Sequence, residues 1–301
     1  MKIIKDIAKM KTYSKVMKKE AKLIGFIPTM GYLHEGHLSL ISAARKQTDI
    51  VIVSIFVNPI QFGPKEDFKK YPRDIEKDEE LARSAGADII FYPTLEGMYP
   101  KEYSTYVNVE RLTDGMCGKS REGHFRGVTT VVMKLFQITK PDIAYFGQKD
   151  AQQAAVIGKM VDDLNMDVMI KVMPIVREKD GLAMSSRNTY LMATERKEAL
   201  SLRKALKLAE EMVGSGEKDT KKIIGEMRKL FLKAPSAKID YIAIVDAKSL
   251  KNIRTVKGRV LVALAVFIGK TRLIDNAILS AERITEENNS HARLCGSGQK
   301  I

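Results

Sequence analysis

The chain reads as an α/β protein, an open parallel sheet covered by helices on both faces and followed by a smaller C-terminal α+β domain. Three observations predict it. Ile50-Val51-Ile52-Val53-Ser54-Ile55-Phe56-Val57 is a continuous apolar, β-branched run, as in strands buried on both sides of a sheet. Short apolar segments alternate with stretches of helical spacing from Leu23 to Met173, and repeated strand–helix units imply right-handed crossovers and parallel strands. From about Arg177 that alternation stops.

The elements follow in order. Residues 23–27 form a first buried strand, and Leu38, Leu40, Ile41 and Ala44 recur at helical spacing after it. The run at 50–57 is the second strand. A helix over 75–85 is ended by Gly86, and a strand over 88–92 by Pro93. A helix over 128–138, a strand over 143–146, a helix over 151–164 and a strand over 169–173 complete the sheet. Next come helices over 195–213 and 220–232, parted by Gly214-Ser215-Gly216, and strands over 239–245 and 260–267, with Leu273-Ile274-Asp275-Asn276 near the end of the domain. The expected boundaries are 1–176 for the sheet domain and 177–281 for a C-terminal lid domain. Residues 282–301, polar and containing Gly296-Ser297-Gly298, read as a mobile tail.

Composition bounds the function. With 301 residues there is chain for two domains, and 45% hydrophobic with 29% charged residues is ordinary for a soluble globular protein. The longest apolar run, 260–268, has nine residues, well short of the roughly 20 that span a bilayer. Met1-Lys2-Ile3-Ile4-Lys5-Asp6 lacks the apolar core of a signal peptide. Two cysteines, Cys117 and Cys295, are too few for a disulfide framework and fit a reducing cytoplasm. The net charge of +14 fits nucleic acid or small anionic substrates. Lysines alternate with acids, as in Glu76-Lys77-Asp78-Glu79, and no basic–aromatic stripe appears. Solvated lysine faces explain the charge better, and neither nucleic acid nor a membrane is expected as a partner.

The informative polar clusters all follow strand ends. His34 and His37, in Pro28-Thr29-Met30-Gly31-Tyr32-Leu33-His34-Glu35-Gly36-His37, lie in a strand-to-helix turn, where backbone N–H groups and the helix dipole favour phosphate. Asn58-Pro59-Ile60-Gln61-Phe62-Gly63 follows the second strand, Gly147-Gln148-Lys149-Asp150 the strand at 143, and Arg177 to Arg187 the strand at 169. In open parallel sheets ligands bind beyond the carboxyl ends of the strands, where the strand order reverses. Four such turns on one edge predict one site.

Two imidazoles would add donors to charge building on phosphorus. Lys149 offers a point charge and Arg187 a bidentate fork for phosphate. Ser185 and Ser186 add hydroxyls, and Gly181 lets that loop fold over a ligand. No P-loop and no G-x-G-x-x-G fingerprint is present. The set suits attack on the α-phosphate of ATP with pyrophosphate leaving. Zinc is the competing explanation for a histidine pair, but only His124, His291 and two distant cysteines remain to complete four ligands. Gln61 and Gln153 either contact a hydroxy-acid or tie loops together; spacing alone leaves both open.

Taken with Phe56-Val57-Asn58-Pro59-x-Gln61-Phe62, Tyr71-Pro72-Arg73, Gly123-His124-Phe125-Arg126-Gly127-Val128, Gly147-Gln148-Lys149-Asp150-x-Gln152-Gln153 and Met184-Ser185-Ser186-Arg187-Asn188, the histidine motif resembles the pantothenate synthetase (pantoate–β-alanine ligase) family of the HxGH nucleotidyltransferases, colinearly to about Leu279. The resemblance implies a Rossmann-like doubly wound parallel sheet, a lid domain and a cytoplasmic homodimer. It implies that pantoate and ATP give pantoyl adenylate and pyrophosphate, and that β-alanine then displaces AMP, with Mg2+ present. By position, Met30, Gly31, Tyr32, Leu33, His34, Glu35, Gly36 and His37 would line the ATP site, with Gly147, Gln148, Lys149, Asp150, Val176, Met184, Ser185, Ser186 and Arg187. His37, His34, Lys149 and Arg187 would be catalytic, His37 being the residue usually assigned as proton donor. Gln61 would contact pantoate and β-alanine, and Gln153 pantoate. Asp78 is the candidate on the magnesium side, although Lys77 beside it is basic where many relatives are acidic. Pantoate's carboxylate is ionised near neutral pH and needs no base, so the histidines are expected to stabilise phosphate charge more than to move protons. A related nucleotidyltransferase or a basic RNA-binding module are the competing functions.

Overall fold

The computed structural model describes residues 1–64 and 66–280; the expected tail, with His291 and Cys295, lies outside the described residues. The chain opens with β1 (Lys2–Ile4) and α1 (Ile7–Lys19), neither of them foreseen in the sequence. Three residues carry no periodicity, and β1 is a strand because it pairs with a later one. In α1 the apolar stripe Ile7, Met10, Tyr13, Met17 is diluted by lysines, and Asp6 caps it by accepting the Lys9 N–H at 2.7 Å.

Most remaining elements of the sheet domain fall close to their expected places: β2 (Ile24–Thr29), α2 (Glu35–Arg45), β3 (Ile50–Ile55), α3 (Ile75–Ser84) and β4 (Ile89–Phe91); two short helices that were not expected, α4 (Leu95–Met98) and α5 (Met116–Ser120), come next, and then α6 (His124–Thr139), β5 (Ile143–Gly147), α7 (Ala151–Asp163) and β6 (Met169–Met173). Six parallel strands lie in the order β1-β4-β3-β2-β5-β6. The sequence runs outward from β2 through β3 to β4 and then returns to β5 on its other side, so the order reverses between β2 and β5. Alternation along the strands separates two cores. Phe26, Ile52, Ile89 and Phe91 face α1, α6 and α7, while Ile27, Val51, Val53 and Ile90 face α2 and α3.

One difference from expectation matters for function. β2 does not end at Ile27 but continues through Pro28 to Thr29, paired with β3 as far as Ile55. A proline inside a central strand is ordinarily excluded. Here β5 pairs with β2 only at Gly25 and Phe26. The carbonyl of Ile24 accepts the Asp142 N–H on the β5 side, so by strand alternation the missing N–H of Pro28 faces that side, beyond the last pair. The strands part there, and the crevice between β2 and β5 opens.

The C-terminal part contains α8 (Ala193–Gly214), α9 (Thr220–Phe231) and an antiparallel sheet of β7 (Ala237–Asp246), β8 (Arg259–Ile268) and β9 (Thr271–Ser280). One face of β8, with Val260, Val262, Leu264 and Val266, packs on the two helices. The other, with Leu261 and Ala263, meets Met116 and Ala151 of the first sheet's helices. The third strand, β9, was legible only as a short closing patch. Asp275 and Asn276 interrupt its apolar pattern because they bond to the loops that follow β6 and β5: Arg177 grips Asp275 at 2.7 and 3.0 Å, and Asn276 Nδ2 donates to the carbonyls of Gln148 and Lys149 at 2.9 Å.

Candidate active site

The turn after β2 is shaped from the backbone outward. Gly31 and Tyr32 both adopt left-handed conformations, with φ of 81° and 53°. The tyrosine costs on the order of 1–2 kcal/mol there. Asp78, brought in by α3, accepts the Tyr32 N–H at 2.8 Å and the Leu33 N–H at 2.6 Å and holds the turn. It is 2% exposed, and burial raises its pKa from the ordinary carboxylate range while the two amide bonds oppose the rise. Asp78 therefore organises the histidine turn.

His34 caps α2. Its Nδ1 accepts the Gly36 N–H at 3.2 Å, and the Nδ1 of His37 accepts the His34 N–H at 3.3 Å. A neutral imidazole that accepts at Nδ1 must carry its proton at Nε2. Both rings thus present Nε2–H donors. Burial, with Lys149 nearby, lowers the His34 pKa to about 4. Burial and then the adjacent His34, whose ring centroid is 4.1 Å away, hold His37 well below the usual imidazole range. At neutral pH the pair is uncharged.

The Gln61 turn docks on the start of α6. Gly127 touches it so closely that a Cβ would lie 2.5 Å from the Ile60 carbonyl oxygen, which only glycine permits. His124 donates from Nδ1 to the Gln61 carbonyl at 2.9 Å while its Nε2 accepts from Arg121 at 2.8 Å. The side chain of Gln61 receives Asn58 Nδ2 at 3.0 Å and lies against Met30 Sδ at 3.1 Å. So Gln61 is both tied to its loop and part of the cavity wall. Gln153, on α7, has no hydrogen-bond partner among the described residues and faces the same cavity.

That cavity, of about 210 Å³, collects most of the expected residues. Met30, His34, Gly36 and His37 come from the turn after β2, and Gly147, Lys149 and Asp150 from the end of β5. Val176, Met184, Ser185, Ser186 and Arg187 form the far wall. Six expected residues do not line it: Gly31 and Asp78 lie in a neighbouring pocket, Tyr32 shapes the turn, Leu33 packs into the core, Glu35 is solvent-exposed, and Gln148 bonds through Nε2 to Asn276 Oδ1 at 3.3 Å.

The cations differ from one another. Lys149 forms a salt bridge only with Asp150 among the described residues, at 3.5 Å. Arg187 is not a bare phosphate fork: its Nε and Nη2 grip Asp67 at 2.9 and 2.8 Å. Arg121 likewise grips Glu66 at 2.6 and 2.7 Å, and Tyr71 Oη lies 3.3 Å from Ser186 Oγ. The segment from Glu66 to Tyr71 is strapped across the site, and a phosphate on Arg187 must share or displace Asp67. Gly181, with φ 95°, closes a tight turn, its N–H donating to Glu178 O at 2.8 Å. Sequence reading missed Asp67 and the apolar wall of Phe56, Val128, Val131, Val132 and Leu135. The helical spacing of the α6 residues was a visible signal, but for core rather than cavity.

Uncharged imidazole donors opposite a lysine, next to an apolar chamber at the reversal point of a parallel sheet, fit an adenylate-forming, ATP-dependent ligase. The pantoate-beta-alanine ligase family profile matches residues 2–278. The pantothenate synthetase of Caldicellulosiruptor bescii is 58% identical over 282 residues, 94% of this chain and all of that one. The pantoate-β-alanine ligase (pantothenate synthetase) structure from Thermus thermophilus superposes with a TM-score of 0.87 at 41% identity, covering 94% of this chain and 100% of that chain. The enzyme from Francisella tularensis, described as complexed with β-γ ATP and β-alanine, gives 0.77 at 34% identity with the same coverage. The chain belongs to the pantoate–β-alanine ligase family. Its reaction is the family's, ATP-dependent joining of pantoate to β-alanine.

Proposed function

We propose that both half-reactions run in this one cavity, with the roles divided among its walls. The observation that carries this is the convergence of two Nε2–H imidazoles, Lys149 and two amides on one chamber with an apolar side. Pantoate's carboxylate attacks the α-phosphorus of ATP, a Pα–O bond forms, and the bond to the β-phosphate breaks as pyrophosphate leaves. The carboxylate is already ionised, so no base is needed. His34, His37 and Lys149 stabilise the charge that gathers on the phosphoryl oxygens. Gln61 and Gln153 hold pantoate, and the gem-dimethyl carbon fits the wall of Val131, Val132 and Leu135. The free amine of β-alanine then attacks the acyl carbon, the C–N bond forms as the acyl C–O bond to AMP breaks, and the surplus proton of the amine passes to water. Both Nδ1 atoms are taken by backbone N–H groups, so neither ring is set to collect the ammonium proton.

Magnesium is proposed as the companion of ATP. Among the described residues no group of three His, Cys, Asp or Glu side chains is placed to hold a cation, and Asp150 is the one carboxylate lining the cavity. The described residues furnish no metal cage, and no step above is routed through one. We further propose that residues 1–176 and 177–281 act as nucleotide domain and lid, and that the protein is a cytoplasmic homodimer, as the family resemblance implies. Light scattering in solution tests the dimer.

Pyrophosphate release from ATP, measured with and without pantoate and then with β-alanine, tests the reading. Release that depends on pantoate, with AMP and pantothenate appearing on addition of β-alanine, is expected; pantoate-independent release overturns it. Gln153→Ala should raise the KM for pantoate and leave that for ATP nearly unchanged. Equal loss of both would make it a loop tie instead.

A further inference from the structure

Asn58 is 1% exposed and uses its whole amide. Its Nδ2 donates to the Gly127 carbonyl at 3.0 Å and to Gln61 Oε1 at 3.0 Å, and its Oδ1 accepts the hydroxyl of Tyr99 at 2.8 Å. The polarity of this chain is fixed by chemistry. A backbone carbonyl only accepts, so the NH2 end of Asn58 must face Gly127. The other N–H of that end points to Gln61, which must answer with its oxygen. Gln61 therefore turns its own NH2 toward Met30 and the cavity, and meets a substrate there as a donor. A carboxylate or hydroxyl oxygen suits that donor; an ammonium does not.

Tyr99 closes the relay from the far end. It follows α4, outside the cavity lining, and its ring packs on Phe56 and Tyr103 with centroids 6.1 and 5.0 Å away. Lys134 Nζ sits 5.5 Å from the same ring centroid. This packing fixes the ring, and the fixed ring aims its hydroxyl at Asn58.

We propose that Tyr99 is a positioning residue for pantoate, acting through Asn58 to hold the donor end of the Gln61 amide toward the substrate. This rests on the assignment of Gln61 to pantoate made above. Removing the hydroxyl leaves Asn58 Oδ1 buried without its donor, and the Asn58–Gln61 pair loses its outer anchor. Substrates held without Gln61 are unaffected.

Tyr99→Phe keeps the ring packing and removes only the donor. We expect the KM for pantoate to rise about fivefold, the scale of one ordinary hydrogen bond, with the KM for ATP within about twofold of its starting value. A double-mutant cycle with Gln61→Ala separates relay from general loosening. In the Gln61→Ala background Tyr99→Phe should change nothing further. The same fold change in both backgrounds, or parallel shifts for ATP and pantoate, overturns the relay. An unshifted pantoate KM in Tyr99→Phe beside a shifted one in Gln61→Ala also overturns it. If Gln61→Ala itself leaves pantoate use intact, the Gln61 assignment falls and the relay with it. Asn58→Asp, which has no N–H to give Gln61, should exceed Tyr99→Phe in effect, and a smaller effect again refutes the proposal.

Discussion

His37→Ala separates a charge-stabilising imidazole from a proton-transferring one. Two interactions are lost. The first is the Nε2–H donor facing the cavity; removing one preorganised donor of this kind costs about 100–1,000-fold in rate, or ~3–4 kcal/mol. The second is the Nδ1 bond to the His34 N–H, half of the reciprocal cap on α2. A cap of that type contributes about 0.5–2 kcal/mol to stability. Single-turnover pyrophosphate release with saturating ATP and pantoate should therefore fall by about 100–1,000-fold. Urea unfolding should show a separate, modest loss. The pH profile is decisive. Burial and the neighbouring His34 hold the ring neutral throughout the neutral range, so the ratio of wild-type to variant rates should stay constant from about pH 6 to 8. A deficit that disappears on the alkaline side would mean an imidazolium does the work, and near-normal release at any pH would remove the role altogether.

Three further outcomes are expected. Asp78→Asn replaces one of two acceptors with a donor facing backbone N–H groups, which should cost about 1–3 kcal/mol of stability and slow adenylate formation; a shifted magnesium requirement with a normal rate would restore a metal role. Arg187→Ala should raise AMP formation without β-alanine relative to its residual forward rate, because the strap from Glu66 to Tyr71 loses its Asp67 anchor and water reaches the adenylate; an unchanged ratio in a quench assay refutes closure by that contact. The third is a pH effect on stability. Burial and then Arg121 lower the His124 pKa to about 4, against an ordinary 6.5. The unfolded chain takes up this proton first, so the contribution is complete above 6.5 and is lost as pH falls toward 4, on the order of 3 kcal/mol in all. Denaturant midpoints at pH 7 and 4.5 should show a smaller drop in His124→Asn than in the parent, and equal drops would contradict the assignment.

Local patterns were enough for the parallel sheet, the strands and longer helices from β2 to β8, and the four strand-end turns that make the site; the short α4 and α5 carried no such pattern. Those patterns are apolar runs of strand length, helical spacing, and the polar groups that must sit where strands stop. His34, His37, Gln61, Lys149 and Gln153 occupy such positions, and all line one cavity. The rest depends on long-range partners. β1 exists through its pairing with β4, and β9 hides its periodicity because Asp275 and Asn276 bond across to the loops that follow β6 and β5. Pro28 became tolerable only where β5 falls away from β2. Asp78 lies 45 residues in sequence from the Leu33 N–H it accepts, and Asp67 lies 120 from Arg187. A carboxylate's choice between a metal, a phosphate-binding arginine and a buried turn depends on which groups the fold brings within about 3 Å of it, and no local pattern encodes that.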